Sequence, residues 1–339
     1  MIPEHLMDVV FPVRDQSLAR VVNDLSEPEM GRPADNLVTN EDSFARIVDR
    51  LTRQEPGRGV YLGVGPDQNF TYIAHARPRL AFVLDFRRRN ALLHLAHKAL
   101  FALAHDRVGY LERLLARRPS KLPANPSADE LVAAFEGAEL DRNRLDTTIN
   151  EAAGYLRPLG IVAESEWPEI ATIQAKLAGP GLNARFLALT MYPPLGRLIR
   201  SRDRLGHPAH FLAREEWFQL VRAAQLGDRV IPLVGDFAGP SALPALGDWL
   251  RRRALSVSTL YASDVEFFLL RAGKFAAYIS NLAKLPWSEG AVLIRTSTRE
   301  IPHPERLPGD SSTTILRPVA PFLEAAKAGR IKTVDDLFL

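Results

Sequence analysis

The stretch Gly59-Val60-Tyr61-Leu62-Gly63-Val64-Gly65-Pro66, continued through Leu80-Ala81-Phe82-Val83-Leu84-Asp85, decides the fold class. Residues 60–62 have the length of a short buried strand, and Gly63 and Gly65 let the chain turn sharply. Residues 67–76 read as a helix broken by Pro78, and residues 80–84 form an apolar run of strand length. Strand, glycine turn, helix and strand make a β-α-β unit. Its second strand ends on an acid, Asp85, about 20 residues beyond the turn.

Upstream, residues 26–40 are polar and turn-rich, and residues 43–54 read helical with Thr39, Asn40 or Asp42 as candidate N-caps. Downstream, leucines recur at helical spacing over residues 90–116. Ser127 caps a helix at 128–136, Asp146 or Thr147 starts another through Tyr155, and 214–226 is a further one. The strand rhythm returns at 230–234, which runs into Gly235-Asp236-Phe237. A helix at 243–253 follows, then a strand at 256–261 running into Ala262-Ser263-Asp264-Val265-Glu266. A helix at 275–285 and strands at 291–294 and 313–316 complete the series. This alternation predicts an α/β fold: a Rossmann-like, doubly wound, mostly parallel sheet with a large helical insertion. Residues 1–55 read as an N-terminal helical or loop lid. Residues 56–95 and 228–339 read as the cofactor-binding domain, and 96–227 as the insertion that caps a substrate.

The 339 residues are 46% hydrophobic and 24% charged, enough for a sizeable core. No apolar run nears the roughly 20 residues that cross a bilayer, and residues 1–13 lack the basic start and apolar middle of a signal peptide. The expectation is a cytoplasmic protein with no membrane partner. Cysteine is absent, which excludes disulfides and thiolate chemistry. The net charge of +3 is small, and the arginine clusters at 87–89, 117–118 and 251–253 have no aromatic interleaving, so no nucleic-acid partner is expected. Oligomeric state is open.

The residues after the turn narrow the ligand. A dinucleotide's pyrophosphate needs bare backbone N–H groups and a third glycine at the helix start. Here Pro66 removes a donor, Asp67 places negative charge, and Gln68 stands at the third-glycine position. S-adenosylmethionine has no phosphate and carries cationic groups that an acid attracts; Asp67 equally suits the helix dipole. With Tyr61-Leu62-Gly63-Val64-Gly65, Val83-Leu84-Asp85, Val234-Gly235-Asp236-Phe237 and Tyr261-Ala262-Ser263-Asp264-Val265-Glu266, the chain resembles the class I S-adenosylmethionine-dependent methyltransferase superfamily. It is also similar to a bacterial group of that fold with no assigned substrate. The resemblance covers roughly residues 55–100 and 228–300. Tyr61-Leu62 stand where the family usually has an acid, and more than 100 residues separate the second and third strands.

The resemblance implies S-adenosyl-L-methionine as cofactor, held by Gly63, Gly65, Asp67, Asn69, Asp85, Asp236, Phe237 and Ser263. It implies a small-molecule acceptor met by Tyr261, Asp264 and Glu266, with Asp264 or Glu266 as base where the acceptor arrives protonated; Asp264 equally reads as a helix cap. Two alternatives share the fold, a non-catalytic ligand-binding scaffold and an NAD(P)-dependent oxidoreductase. Asn36, Asn40 and Glu41 could close over a cofactor, though loop polarity and capping explain them as well. His94 and His97 stand one turn apart without an acid to complete a metal site, and Asp203, His207 and His210 fall in a loop. No metal is expected. Neither a Gly-x-Ser-x-Gly elbow nor a phosphate-binding Walker sequence occurs.

Overall fold

Five strands line up in parallel, the first three of them short, apolar and buried along their whole length. They are β1 (Val60–Gly63), β2 (Leu80–Asp85), β3 (Val230–Val234), β4 (Val257–Ser263) and β5 (Trp287–Ser297). A sixth, β6 (Thr313–Pro318), pairs antiparallel with β5, and the order across the sheet is β3-β2-β1-β4-β5-β6. The chain is therefore an α/β protein built on a six-stranded, mostly parallel sheet. The computed structural model describes residues 17–30, 36–52, 57, 59–298 and 301–338. Residues 1–13 and Gln54, which entered the reading of the sequence, lie outside them.

Every residue of β1, β2 and β3 is buried. Pro232 lies inside β3, where it reads as a strand breaker. It is tolerated because β3 is the edge strand and pairs with β2 alone, so the missing N–H faces no neighbour. The chain builds outward from β1 to β2 and β3, then returns to β4 on the other side of β1. The carboxyl ends of β1 and β4 consequently flank a point where the strand order reverses.

The helices preceding and joining the first strands are α1 (Leu18–Leu25), α2 (Val48–Leu51) and α3 (Gln68–Ala76). The long connection from β2 to β3 holds α4 (Arg88–Leu103), α5 (Arg107–Leu115), α6 (Ala128–Phe135), α7 (Arg142–Leu156), α8 (Trp167–Ala178), α9 (Leu195–Ile199) and α10 (Glu215–Leu226). After β3 come α11 (Ala242–Arg251), α12 (Val265–Arg271), α13 (Phe275–Leu282) and, beyond β6, α14 (Val319–Lys327). None of the described helices is long and apolar enough to cross a membrane.

Helix α4 is buried nearly all round and packs against β2, β3, α7, α8 and α10, so it is shared between the sheet and the helical connection. It runs unbroken through residues 95–96, where the sequence suggests a domain boundary. Helix α7 starts at Arg142, not at Asp146 or Thr147, because the Asp141 carboxylate accepts the Arg144 N–H at 3.0 Å and caps the helix earlier. The Ser127 cap of α6 is present as a full capping box with Glu130. Strand β5 begins at Trp287, earlier than residue 291, with its exposed start continuing the pairing to β4.

Residues 26–30, read as loop from sequence, hold the sheet's β3 end together. Glu27 N–H donates to Val234 O at 2.7 Å. Its carboxylate accepts N–H groups of Asp236 (3.0 Å), Ser241 (2.7 Å) and Ala242 (2.7 Å), together with the Ser241 hydroxyl. The first turn of α11, whose own Ser241 makes no side-chain cap, is thus capped by Glu27. Burial raises the Glu27 pKa, but these backbone donors outweigh it and hold the group below its ordinary value of 4.5. Glu27→Ala should lower stability by about 2–4 kcal/mol through orphaned buried N–H groups, measured by urea unfolding at pH 7. Because the folded-state pKa is depressed, the wild-type advantage is present above about pH 4.5 and is lost as pH falls through the folded value.

Candidate functional site

The glycine turn is closed by its own helix. From the first turn of α3, Asn69 Nδ2 donates to the carbonyls of Val64 (2.9 Å), Gly65 (3.1 Å) and Pro66 (2.8 Å), and Asn69 Oδ1 accepts the Tyr61 hydroxyl at 2.8 Å. A Cβ at Gly63 would lie 2.1 Å from Asn69 Oδ1 and 2.6 Å from the Tyr61 ring. Glycine is required at 63 because these side chains fill the space. Gly65 has a different reason, a φ of +79°, and a Cβ there would meet only Gln68 Nε2 at 3.5 Å.

Asn90 joins the turn to the end of β2: its Nδ2 donates to Gly65 O and to Asp85 Oδ2, both at 3.1 Å. Asp85 also accepts the Arg87 N–H at 2.9 Å, and its Oδ1 lies 3.5 Å from the Arg87 guanidinium. Burial raises the Asp85 pKa against these partners. His94 Nε2 lies 2.9 Å from Gly65 O and must carry its proton there; burial lowers its pKa to about 4, so the ring is neutral. His97 Nδ1 bonds the Tyr110 hydroxyl at 2.7 Å. Among the described residues, no cluster of three or more His, Asp or Glu side chains could hold a metal ion. Two buried acceptors near the turn, Gln68 Oε1 and Asn90 Oδ1, have no hydrogen-bond partner among the described residues.

Residues 36–43 lie over the carboxyl ends of β4 and β5. Asp67, at the N-cap position of α3 but making no cap bond, accepts the Thr39 N–H at 3.1 Å; burial pushes its pKa up to about 6. Thr39 in turn orients Glu41 by accepting its N–H at 3.2 Å. The Glu41 side chain, 1% exposed, accepts the hydroxyls of Tyr261 (2.7 Å), Ser263 (2.5 Å) and Thr296 (2.8 Å). Tyr261 Oη also accepts Gln68 Nε2 at 2.5 Å. Glu41 forms no ion pair among the described residues. Burial, opposed by the three hydroxyls and reinforced by nearby Asp264, pushes its pKa up to about 7.

A proton count supports that shift. Asp42, Ser312, Ser43, Thr314, Thr296 and Glu41 form a chain of five links between two carboxyl groups through four hydroxyls. Four hydroxyl protons cannot fill five links. The ionised Glu41 accepts from Thr296; once protonated, it reverses that contact, donates to Thr296 and supplies the fifth proton.

Ser263 has a φ of +52°, a conformation costing about 1–2 kcal/mol in a non-glycine residue. It ends β4 with its hydroxyl turned to Glu41, the kind of outlier that points to a functional position. Asp264 is half-buried at the N-cap position of α12, makes no cap bond, and is pushed by burial to about 6. Beside it lies a cavity of about 50 Å³ bordered by Ser263, Asp264, Glu266 and Thr296. Glu266 is placed differently: it is fully buried in an ion pair with Arg295 at 2.7 Å and accepts the Tyr278 hydroxyl at 3.2 Å. Asp236, at the end of β3, accepts the Ala238 N–H at 2.9 Å and lies 3.3 Å from Lys274 Nζ; Phe237 packs on Tyr278.

The structure thus gathers Gly65, Asp67, Asp85, Tyr261, Ser263 and Asp264 around one sheet edge with Gln68, Asn90 and Glu41. Glu41 was visible in sequence only as part of a covering loop. Its partners Tyr261 and Thr296 are 220 and 255 residues away, a distance no local pattern spans.

Glu41→Gln keeps the shape and can donate to Thr296 as the protonated acid does. The folded pKa of about 7 lies above the unfolded value of 4.5, so the wild type gains stability from this group below pH 4.5 and loses it as pH rises through 7. The stability of Glu41→Gln relative to wild type should therefore climb between pH 4.5 and 7, by up to ~3 kcal/mol. Urea unfolding of both proteins at several pH values measures it. A difference independent of pH would show that Glu41 does not titrate there.

No curated protein matches the chain. A family model described as "Domain of unknown function (DUF7790)" matches residues 36–144 and 188–328, which takes in Glu41, the glycine turn and all six strands. The chain belongs to this DUF7790 family.

Proposed function

We propose that the carboxyl edge of the sheet binds S-adenosyl-L-methionine or a close adenosine-bearing, phosphate-free relative, and that the chain is a transferase acting on a small molecule. In this reading the sheet is Rossmann-like. Residues 56–95 with 228–339 form the cofactor-binding unit, 96–227 the substrate-side insertion and 1–55 the covering segment. The observation that carries it is the cluster of buried acceptors at the strand-order reversal. Asp85, Asp264 and Glu41 stand there with Gln68 Oε1 and Asn90 Oδ1, which have no partner among the described residues. Such a lining suits ribose hydroxyls and cationic groups, which donate, and repels phosphate, which only accepts.

Asp85 and Asn90 would hold the ribose hydroxyls, with Gly65 leaving room beside them. When bound, the cofactor supplies an electrophilic carbon attached to a sulfonium. The protein's share is positioning and proton handling. Glu41, with a pKa of about 7, exists in both protonation states near neutrality and can take a proton from an acceptor's nucleophilic atom while Tyr261 and Ser263 hold the carboxyl in place. Asp264, pushed to about 6, is the second candidate base. Glu266, neutralised by Arg295, ties α12 to β5.

A second reading, a ligand-binding protein without catalysis, draws on Gly63, whose open side is filled by Asn69 and Tyr61. The first test is thermal unfolding with S-adenosylhomocysteine, S-adenosylmethionine or NADH. The proposal expects the two sulfur compounds to raise the Tm, Asp85→Ala to abolish the rise and Glu41→Gln to keep it. Stabilisation by NADH alone would overturn it. Transfer of labelled methyl to a small-molecule extract, lost in Glu41→Gln while cofactor binding persists, separates enzyme from sensor.

A further inference from the structure

A larger cavity, about 720 Å³, lies between residues 42–46 and the helices joining β2 to β3, a size that holds a small organic molecule. Five arginines line it: Arg46, Arg117, Arg197, Arg200 and Arg202. Three are matched by carboxylates. Arg46 makes a two-pronged contact with Asp310 (3.1 and 2.7 Å), Arg200 meets Asp129 (3.2 Å) and Glu136 (2.8 Å), and Arg202 shares Asp129 at 3.2 Å.

Of the other two, one meets no carboxylate among the described residues and one makes only a long contact. Arg117 donates only to the carbonyls of Leu115, Ala138, Ala178 and Gly179, and meets no carboxylate among the described residues. Those contacts fix its guanidinium at the end of α8. The Arg197 side chain is 60% exposed and, among the described residues, pairs only with Asp42 Oδ2, at 3.5 Å. That oxygen is already taken by the Ser311 N–H (2.9 Å) and hydroxyl (2.8 Å). Val132, Phe135 and Leu182 give the same cavity an apolar wall.

We infer that this cavity binds a small organic anion, a carboxylate or phosphate monoester on an apolar body, with Arg197 closing on the anionic group. A guanidinium is weakly hydrated and its planar fork matches both oxyanions, so an exposed Arg197, held by one long contact beside an apolar wall, is arranged for such a molecule. The acids facing the cavity, Asp42 and Glu136, are occupied by Ser311, Ser312 and Arg200. The inference is independent of the cofactor reading, since it uses none of the residues assigned to the cofactor.

The test is calorimetric titration of the full chain, without any cofactor, using octanoate, octyl phosphate and octan-1-ol. At least one anion should bind and the alcohol should not. Arg197→Gln should weaken anion binding by about tenfold or more, as expected for a lost charge-assisted hydrogen bond, and Arg197→Lys should retain part of it. Arg197 is exposed, so these variants should melt at the wild-type temperature. Hydrogen exchange with the bound anion should show protection in residues 194–202. Equal binding of anion and alcohol, no binding of either anion, or wild-type affinity in Arg197→Gln would overturn the inference.

Discussion

The Glu41 carboxyl group is the constraint on which the sheet's carboxyl edge depends. A carboxyl buried without a cation is costly unless hydroxyl donors surround it, and here three strand residues supply them. Their geometry propagates. Tyr261 must also accept Gln68, which fixes the start of α3, and Thr296 must meet Thr314, which ties β5 to β6 and, through Thr314, to Ser43. Because every hydroxyl in that chain both donates and accepts, the protonation of Glu41 sets the direction of all of them, and the links strengthen one another. When the proton leaves, one link must break.

The glycine turn answers a separate demand. Its carbonyls are closed from within: Asn69, Asn90 and His94 all donate to Gly65 O. What the turn leaves free are acceptors on the side chains around it, Gln68 Oε1 and Asn90 Oδ1. Asn90 spends its amide protons on linking the turn to Asp85 and presents its oxygen elsewhere. The electrostatic character of the edge therefore follows from how the turn is closed, and it favours ligands that bring donors.

Much of the sheet was legible in the sequence because its signals are local. Five short apolar runs and the glycine pair mark β1 to β4 and the core of β5 without reference to any partner. Helix α8 was not read in the sequence, although Pro168 stands in its first turn, the favoured place for proline. Helix α1 was missed within a polar opening. At the site, Gly65, Asp85, Ser263 and Asp264 could be named from their place after strands. The roles of Glu27 and Glu41 could not, because a carboxylate's meaning lies in donors that the chain brings from more than 200 residues away. Gly63 was legible as a necessary glycine, but the reason, Tyr61 and Asn69 filling its open side, is a packing fact.

Two buried glutamates at one sheet edge show how environment divides labour. Glu266 and Arg295 neutralise each other within 2.7 Å, and Arg295 also reaches the Leu337 carbonyl, so that pair joins α12, β5 and the C-terminal residues. Removing either partner would strand the other charge in the interior, the most costly kind of change a core can suffer. Glu41 has hydroxyls where Glu266 has a guanidinium. Hydroxyls can reverse their donors; a guanidinium cannot. Glu266 is thereby tied to Arg295 and to holding structure, whereas Glu41 keeps its hydroxyl contacts to Tyr261 and Ser263 and gives up one link of the hydroxyl chain when its proton leaves. At this edge the same side chain is a structural ion pair in one place and a hydroxyl-held acid in the other, and the neighbours decide which.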